Sequence, residues 1–132
     1  MGVDEADFFE AISSFTGASK RLEKLASNTN CVVYKDFAHS PSKVKATTEA
    51  IKAQYPARTL VACLELHTYS SLNAEFLKQY KGTLDAADQA VVFYSPHSVE
   101  IKKLEMVSKD QIELAFNRDN LLIYNNPEDF KQ

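Results

Sequence analysis

The side chains best equipped for chemistry are three histidines and the acids and hydroxyls beside them. His39 stands in "YKDFAHSPSK" with Asp36 and Ser40, just after the apolar run "CVVY". His67 leads "HTYSS", with Thr68, Tyr69, Ser70 and Ser71, just after "TLVACLEL". His97 stands between Ser95 and Ser98, just after "AVVFY". A fourth run, "LLIY", is followed by Asn125 and Asn126. A carboxylate such as Asp36 accepts hydrogen bonds from ribose hydroxyls. A helix starting after Ser40 and Pro41 offers unpaired N–H groups and a partial positive charge to an anion. The plainer alternative has Asp36 and Ser40 capping the turn and His39 solvated. Asp36, His39, His67 and His97 also have the donor types of a metal cluster. Lone loop histidines are usually not ligands, so no metal is expected.

What would hold these groups at one rim is a repeat of strand and helix. The four apolar runs recur about every 30 residues, the size of a βαβ unit. They read as continuous rather than alternating, as strands covered on both faces do. Between them lie helical patterns. Val44, Thr47, Thr48, Ile51 and Tyr55 are followed by Pro56 as a stop. Leu72, Phe76, Leu77, Tyr80 and Leu84 keep helical spacing, with a break suggested at Gly82. Ser108 and Gln111 fit a capping box ahead of Ile112, Ala115 and Phe116. Asn126 and Pro127 read as the cap and first position of a last helix. Near the start, Phe8, Phe9, Ile12 and Phe15 make one face of a short helix. "RLEKLAS", "NTN" and the run from Cys31 suggest a hairpin, with Leu22 and Leu25 out of phase by one. The expected fold is α/β: a Rossmann-like three-layer sandwich, with a mainly parallel sheet and an N-terminal edge hairpin. In such sheets ligands bind beyond the carboxyl ends of the strands, where all three histidines fall.

Bulk properties narrow the classes. The chain has 132 residues, enough for a single domain. A net charge of -3 gives no nucleic-acid footprint, and no apolar run approaches the roughly 20 residues that span a bilayer. The acidic start lacks the basic region of a signal peptide, and Ala6 stands where a myristoylation signal needs Ser or Thr. A cytoplasmic protein is expected, with Cys31 and Cys63 as free, buried thiols. With only Gly2, Gly17 and Gly82, the chain has no glycine-rich loop to cradle a triphosphate. Two readings stand open on these grounds: a stand-alone flavodoxin-like binding or regulatory module, and a small metal-dependent hydrolase.

Three segments carry a resemblance. "FTGASKRLE" at residues 15–23, "DFAHSP" at 36–41 and "LELHTYSS" at 64–71 resemble, in order and spacing, the C-terminal domain of the Mur ligases. The resemblance runs over nearly the whole chain. It implies an ATP- and Mg2+-dependent ligase of peptidoglycan synthesis or recycling, of which this chain is an excerpt. The triphosphate loop and Mg2+ ligands would lie in a central domain, and the uridine-nucleotide site in an N-terminal domain. By motif, Arg21 would reach the nucleotide phosphates, Asp36 would hold the ribose, and His39 would line the same cleft. His67, Thr68, Tyr69, Ser70 and Ser71 would face the incoming amino acid or peptide. The chain looks most like the branch acting on UDP-N-acetylmuramate, whose members attach L-alanine or a whole murein tripeptide. Three departures are informative. Lys20 replaces the first of two arginines, Ser40 replaces the second His of a His-His-Pro motif, and Ser71 stands where alanine-adding members usually have Arg. The segments "DFAH" and "LEL" lean toward the peptide-adding members.

Overall fold

The computed structural model describes Asp4, Ala6, residues 21–97 and residues 107–130. The expected helix face of Phe8, Phe9, Ile12 and Phe15 lies outside these residues, as does Ser98. The chain divides into two compact units, residues 1–37 and 38–132.

The first unit contains the hairpin. Strand β1 (Glu23–Ser27) pairs antiparallel with β2 (Val32–Lys35) as a two-stranded sheet. Asn28 makes the turn: its Oδ1 accepts from the N–H groups of Asn30 (2.8 Å) and Cys31 (2.7 Å). The register shifts between Lys24 and Ala26, so Leu25, the residue out of phase in the sequence, sits in a bulge. The Cys31 run is thus one arm of a hairpin, and parallel pairing begins later in the chain.

The second unit is a parallel sheet with helices. Helix α1 (Pro41–Gln54) precedes β3 (Val61–Leu66). A one-turn helix α2 (Ala74–Leu77) and a 3-10 turn (Lys78–Tyr80) lead to β4 (Gln89–Tyr94). Helix α3 (Lys109–Phe116), β5 (Leu121–Tyr124) and the short α4 (Pro127–Phe130) complete the order. The sheet runs β3-β4-β5 with both pairings parallel, Leu64 beside Val92 and Val92 beside Ile123.

Leu64 and Leu66 of β3 join Ala90, Val92 and Tyr94 of β4 in one core face. Against it pack Val44, Leu72, Leu77, Tyr80, Leu84, Ile112 and Phe116. Each large apolar side chain buried here contributes about 1.5–3 kcal/mol. Pro41, Val44, Thr48 and Ile51 form the buried stripe of α1, where the Thr48 hydroxyl donates to the Val44 carbonyl at 2.7 Å. Ser108 and Gln111 close the expected capping box, with bonds of 2.9 and 3.2 Å.

Three expectations are corrected. Among the described strands only the middle one, β4, is buried nearly throughout; β3 alternates, with Leu64 and Leu66 facing the core and Val61, Cys63 and Glu65 turned outward. Cys31 and Cys63 are free but exposed, one at the hairpin turn and one on that outward face of β3. The apolar residues from Leu72 to Leu84 are buried at the expected spacing, but not as one helix. Gly82 takes φ +75°, the Thr83 hydroxyl donates to the Tyr80 carbonyl, and Arg118 draws the Leu84 and Ala87 carbonyls to its guanidinium. Backbone groups that a helix would pair internally are taken by these partners. No helix among the described residues is long and apolar enough to cross a membrane.

Candidate functional site

In the first unit, Asp36 closes the base of the hairpin. Its Oδ1 accepts from the N–H groups of Leu22 (3.2 Å) and Phe37 (2.8 Å). Leu22 has φ 48°, a left-handed conformation that a branched side chain adopts at a cost of roughly 1–2 kcal/mol. The bond to Asp36 holds that strained residue in place. It also fixes where the exposed Arg21, the preceding residue, enters β1. Asp36 therefore has the capping role that the sequence admitted, whatever else its half-exposed carboxylate does. As chemical types, the Arg21 guanidinium suits phosphate and the Asp36 carboxylate suits ribose hydroxyls.

In the second unit, His39 and His67 come together. Their ring centroids lie 6.2 Å apart, edge to face. His39 precedes the helix cap Ser40, whose backbone caps α1 while its hydroxyl makes no capping bond. The Tyr80 phenol donates to the His39 carbonyl. His67 follows β3, its Nδ1 lying 3.2 Å from the Glu65 carbonyl. A carbonyl only accepts, so Nδ1 carries the proton in that contact. His97 is exposed beyond the end of β4. Among the described residues no three or more His, Cys, Asp or Glu side chains converge as metal ligands, Asp36, His39, His67 and His97 included.

The loop after β3 splits into two kinds of residue. Tyr69 is 64% exposed and Ser70 is also exposed, whereas Ser71 is 1% exposed. Thr68 and Ser71 bond each other reciprocally. The Thr68 N–H donates to Ser71 Oγ (3.0 Å), and the Ser71 N–H donates to Thr68 Oγ1 (3.1 Å). The two hydroxyls lie 2.9 Å apart, and Ser71 Oγ donates to the Thr68 carbonyl at 3.1 Å. Asn73 continues the turn, its Oδ1 capping α2 through the N–H groups of Glu75 and Phe76. The sequence reading set all five loop residues against the substrate; the Ser71 hydroxyl is instead engaged within the loop.

Sequence reasoning missed Tyr80 as a support of the rim, because its partner is 41 residues away. It also missed a polar lock at the opposite rim. Asp88 Oδ2 accepts from the Leu60 N–H (2.6 Å) and Lys52 Nζ (2.7 Å). Chiefly through the Leu60 bond, and then through Lys52, the Asp88 carboxyl is held below its usual range. A shallow depression near the starts of the strands is lined by Thr59, Asp88, Gln89, Asp119 and Asn120. Asp88 and Asn120 there are already bonded within the fold.

Comparison with known proteins gives this geometry its context. Residues 20–126 match the family described as Mur ligase, glutamate ligase domain. The UDP-N-acetylmuramate–L-alanine ligase of Caldanaerobacter subterraneus subsp. tengcongensis is 33% identical over 125 residues, which are 94% of this chain and 26% of that protein. The murein peptide ligase of Psychrobacter arcticus 273-4 shares the fold, with TM-score 0.66 and 21% identity over 92% of this chain and 25% of that one. So does the UDP-N-acetylmuramate-alanine ligase of Thermotoga maritima, with TM-score 0.68 and 19% identity over 94% of this chain and 25% of that one. The chain thus spans about a quarter of the length of these relatives. It belongs to the Mur ligase family, as a C-terminal domain related to the UDP-N-acetylmuramate ligases.

Proposed function

We propose that this chain is the amine-binding, C-terminal domain of a longer cytoplasmic ligase that joins a murein tripeptide to UDP-N-acetylmuramate. The observation that carries the choice of amine is the loop at residues 67–71, which has no Lys or Arg. A free amino acid brings a carboxylate one carbon from its attacking amine, and an arginine fork is the natural group to grip it. A peptide has a neutral amide there, which imidazole, phenol and hydroxyl groups suit. L-alanine is the competing reading, favoured by the activity named for the 33%-identical relative.

ATP, when bound, supplies the phosphoryl group that turns the muramate carboxylate into an acyl phosphate. The incoming amine attacks that carbonyl, the amide C–N bond forms, phosphate leaves, and the amine loses a proton. By motif, Arg21 and Asp36 are assigned to the nucleotide, and His67, Tyr69 and Ser70 to the amine. In this reading Mg2+ ligation belongs to the central domain, as the family resemblance implies. Phosphate release and amide formation by the full-length enzyme, with ATP, Mg2+, UDP-N-acetylmuramate and tripeptide, test the reading. Release without amide would contradict it.

A further inference from the structure

The loop after β3 contains two hydroxyls whose protons are both engaged within the loop. Ser71 Oγ receives the Thr68 N–H and the Thr68 hydroxyl, and gives its own proton to the Thr68 carbonyl. Thr68 Oγ1 gives its proton to Ser71 and receives the Ser71 N–H. In this pattern every proton has an acceptor. The Thr68 carbonyl also accepts from Leu72 N–H (3.2 Å), and Leu72 is buried at 2%. The turn is thus pinned at Thr68, Ser71 and Leu72, and what projects from it is Tyr69, 64% exposed, and Ser70.

We propose that Thr68 and Ser71 are a positioning pair. Their reciprocal clasp holds the turn so that Tyr69 and Ser70 meet the incoming amine, and neither clasp hydroxyl touches the substrate. The inference rests on the ligase reading above. It also changes what the missing arginine means. On this proposal Ser71, 1% exposed, acts from inside the loop rather than as an opening at the substrate. The amine is recognised by imidazole, phenol and hydroxyl groups at the tip, on His67, Tyr69 and Ser70, on a turn kept rigid from within.

Four variants of the full-length ligase test this: Thr68→Val, Thr68→Ser, Ser71→Ala and Tyr69→Ala. Thr68→Val keeps the shape of threonine without its hydroxyl, and Thr68→Ser keeps the hydroxyl. Thr68→Val removes two of the four bonds and Ser71→Ala three; because they act on KM only through the position of the turn, each should raise KM for the tripeptide about 5- to 10-fold, roughly 1–1.4 kcal/mol. KM for ATP should stay within about 2-fold, and Thr68→Ser should behave as wild type. The double variant Thr68→Val/Ser71→Ala should be no worse than either single one, since the clasp is lost once. Tyr69→Ala should raise KM for the tripeptide while leaving slow amide exchange at Thr68 and Ser71 unchanged.

If the two KM values move together, or the double variant is fully additive, the pair is not a positioning unit. If Ser71→Ala is damaging and Thr68→Val is silent, Ser71 contacts the substrate and the proposal falls. An unmodified enzyme that ligates neither tripeptide nor L-alanine would remove the ligase reading, and this role with it. Normal wild-type turnover with any of the preceding results would remove this role alone.

Discussion

The phenol of Tyr80 donates a hydrogen bond to the backbone carbonyl of His39. Tyr80 is 0% exposed, and its ring stacks on Phe116 at 5.3 Å with Phe76 edge-on at 6.1 Å. A core side chain therefore ends in the polar rim and fixes the residue before the cap of α1. The bond anchors the backbone of His39, whose ring meets that of His67.

Tyr80→Phe should preserve the core and lose the bond. Stability should fall by about 1 kcal/mol, with faster amide exchange around residues 39–41. Burial pushes the Tyr80 phenol up to about 12, above the value of about 10 of an unfolded tyrosine. Its folded value is raised, so the contribution is whole below pH about 10 and is lost as pH climbs toward 12. Denaturant titrations between those values should show a steeper alkaline loss for the wild type than for Tyr80→Phe. Parallel curves would mean that the phenol does not govern the transition.

Asp88 governs the acid side. Its carboxyl lies below the usual range, first because of the Leu60 N–H and then because of Lys52. The folded value is depressed, so the contribution is present above about pH 4 and is lost as pH falls through the folded value. Asp88→Asn should flatten that acid decline and weaken the link to Lys52. A decline as steep in Asp88→Asn as in the wild type would assign it to other carboxylates.

Asp36 has a local role that complicates any test of ribose binding. Asp36→Asn keeps a neutral acceptor for Leu22 and Phe37, whereas Asp36→Ala removes it. In the full-length enzyme Asp36→Ala should raise KM for ATP about 10- to 100-fold, the loss of roughly 1.5–3 kcal/mol expected for a bond to a charged group. Asp36→Asn should raise it less, with normal thermal unfolding. An Asp36→Asn enzyme with an unchanged KM for ATP, beside an unstable Asp36→Ala, would leave Asp36 as a hairpin cap alone.

What the sequence made legible is what short-range chemistry determines. The capping box needs only Ser108 and Gln111, the hairpin turn only Asn28 and its neighbours, and the start of α1 only Ser40 and Pro41. Gly82 marked a break in the segment after β3, but the bonds from Arg118 to the Leu84 and Ala87 carbonyls, 34 and 31 residues away in sequence, left no trace in local spacing. Exposure of Cys63 likewise depends on which face of β3 packs on the core, which tertiary packing decides and composition does not. At the site, the positions of His39 and His67 at strand and helix ends were readable; their ring contact was not. Thr68 and Ser71 carried a weak signal, two hydroxyls three residues apart, which is also the spacing of an ordinary turn.

The account turns on which amine the enzyme uses. The direct measurement is a competition at equal concentrations of L-alanine and L-alanyl-γ-D-glutamyl-diaminopimelate, with ATP, Mg2+ and UDP-N-acetylmuramate, and the amide products resolved by mass. A loop without Lys or Arg at residues 67–71 predicts that the tripeptide product dominates. Dominant L-alanine ligation would contradict the peptide-ligase assignment and the recognition argument, while leaving membership of the family intact.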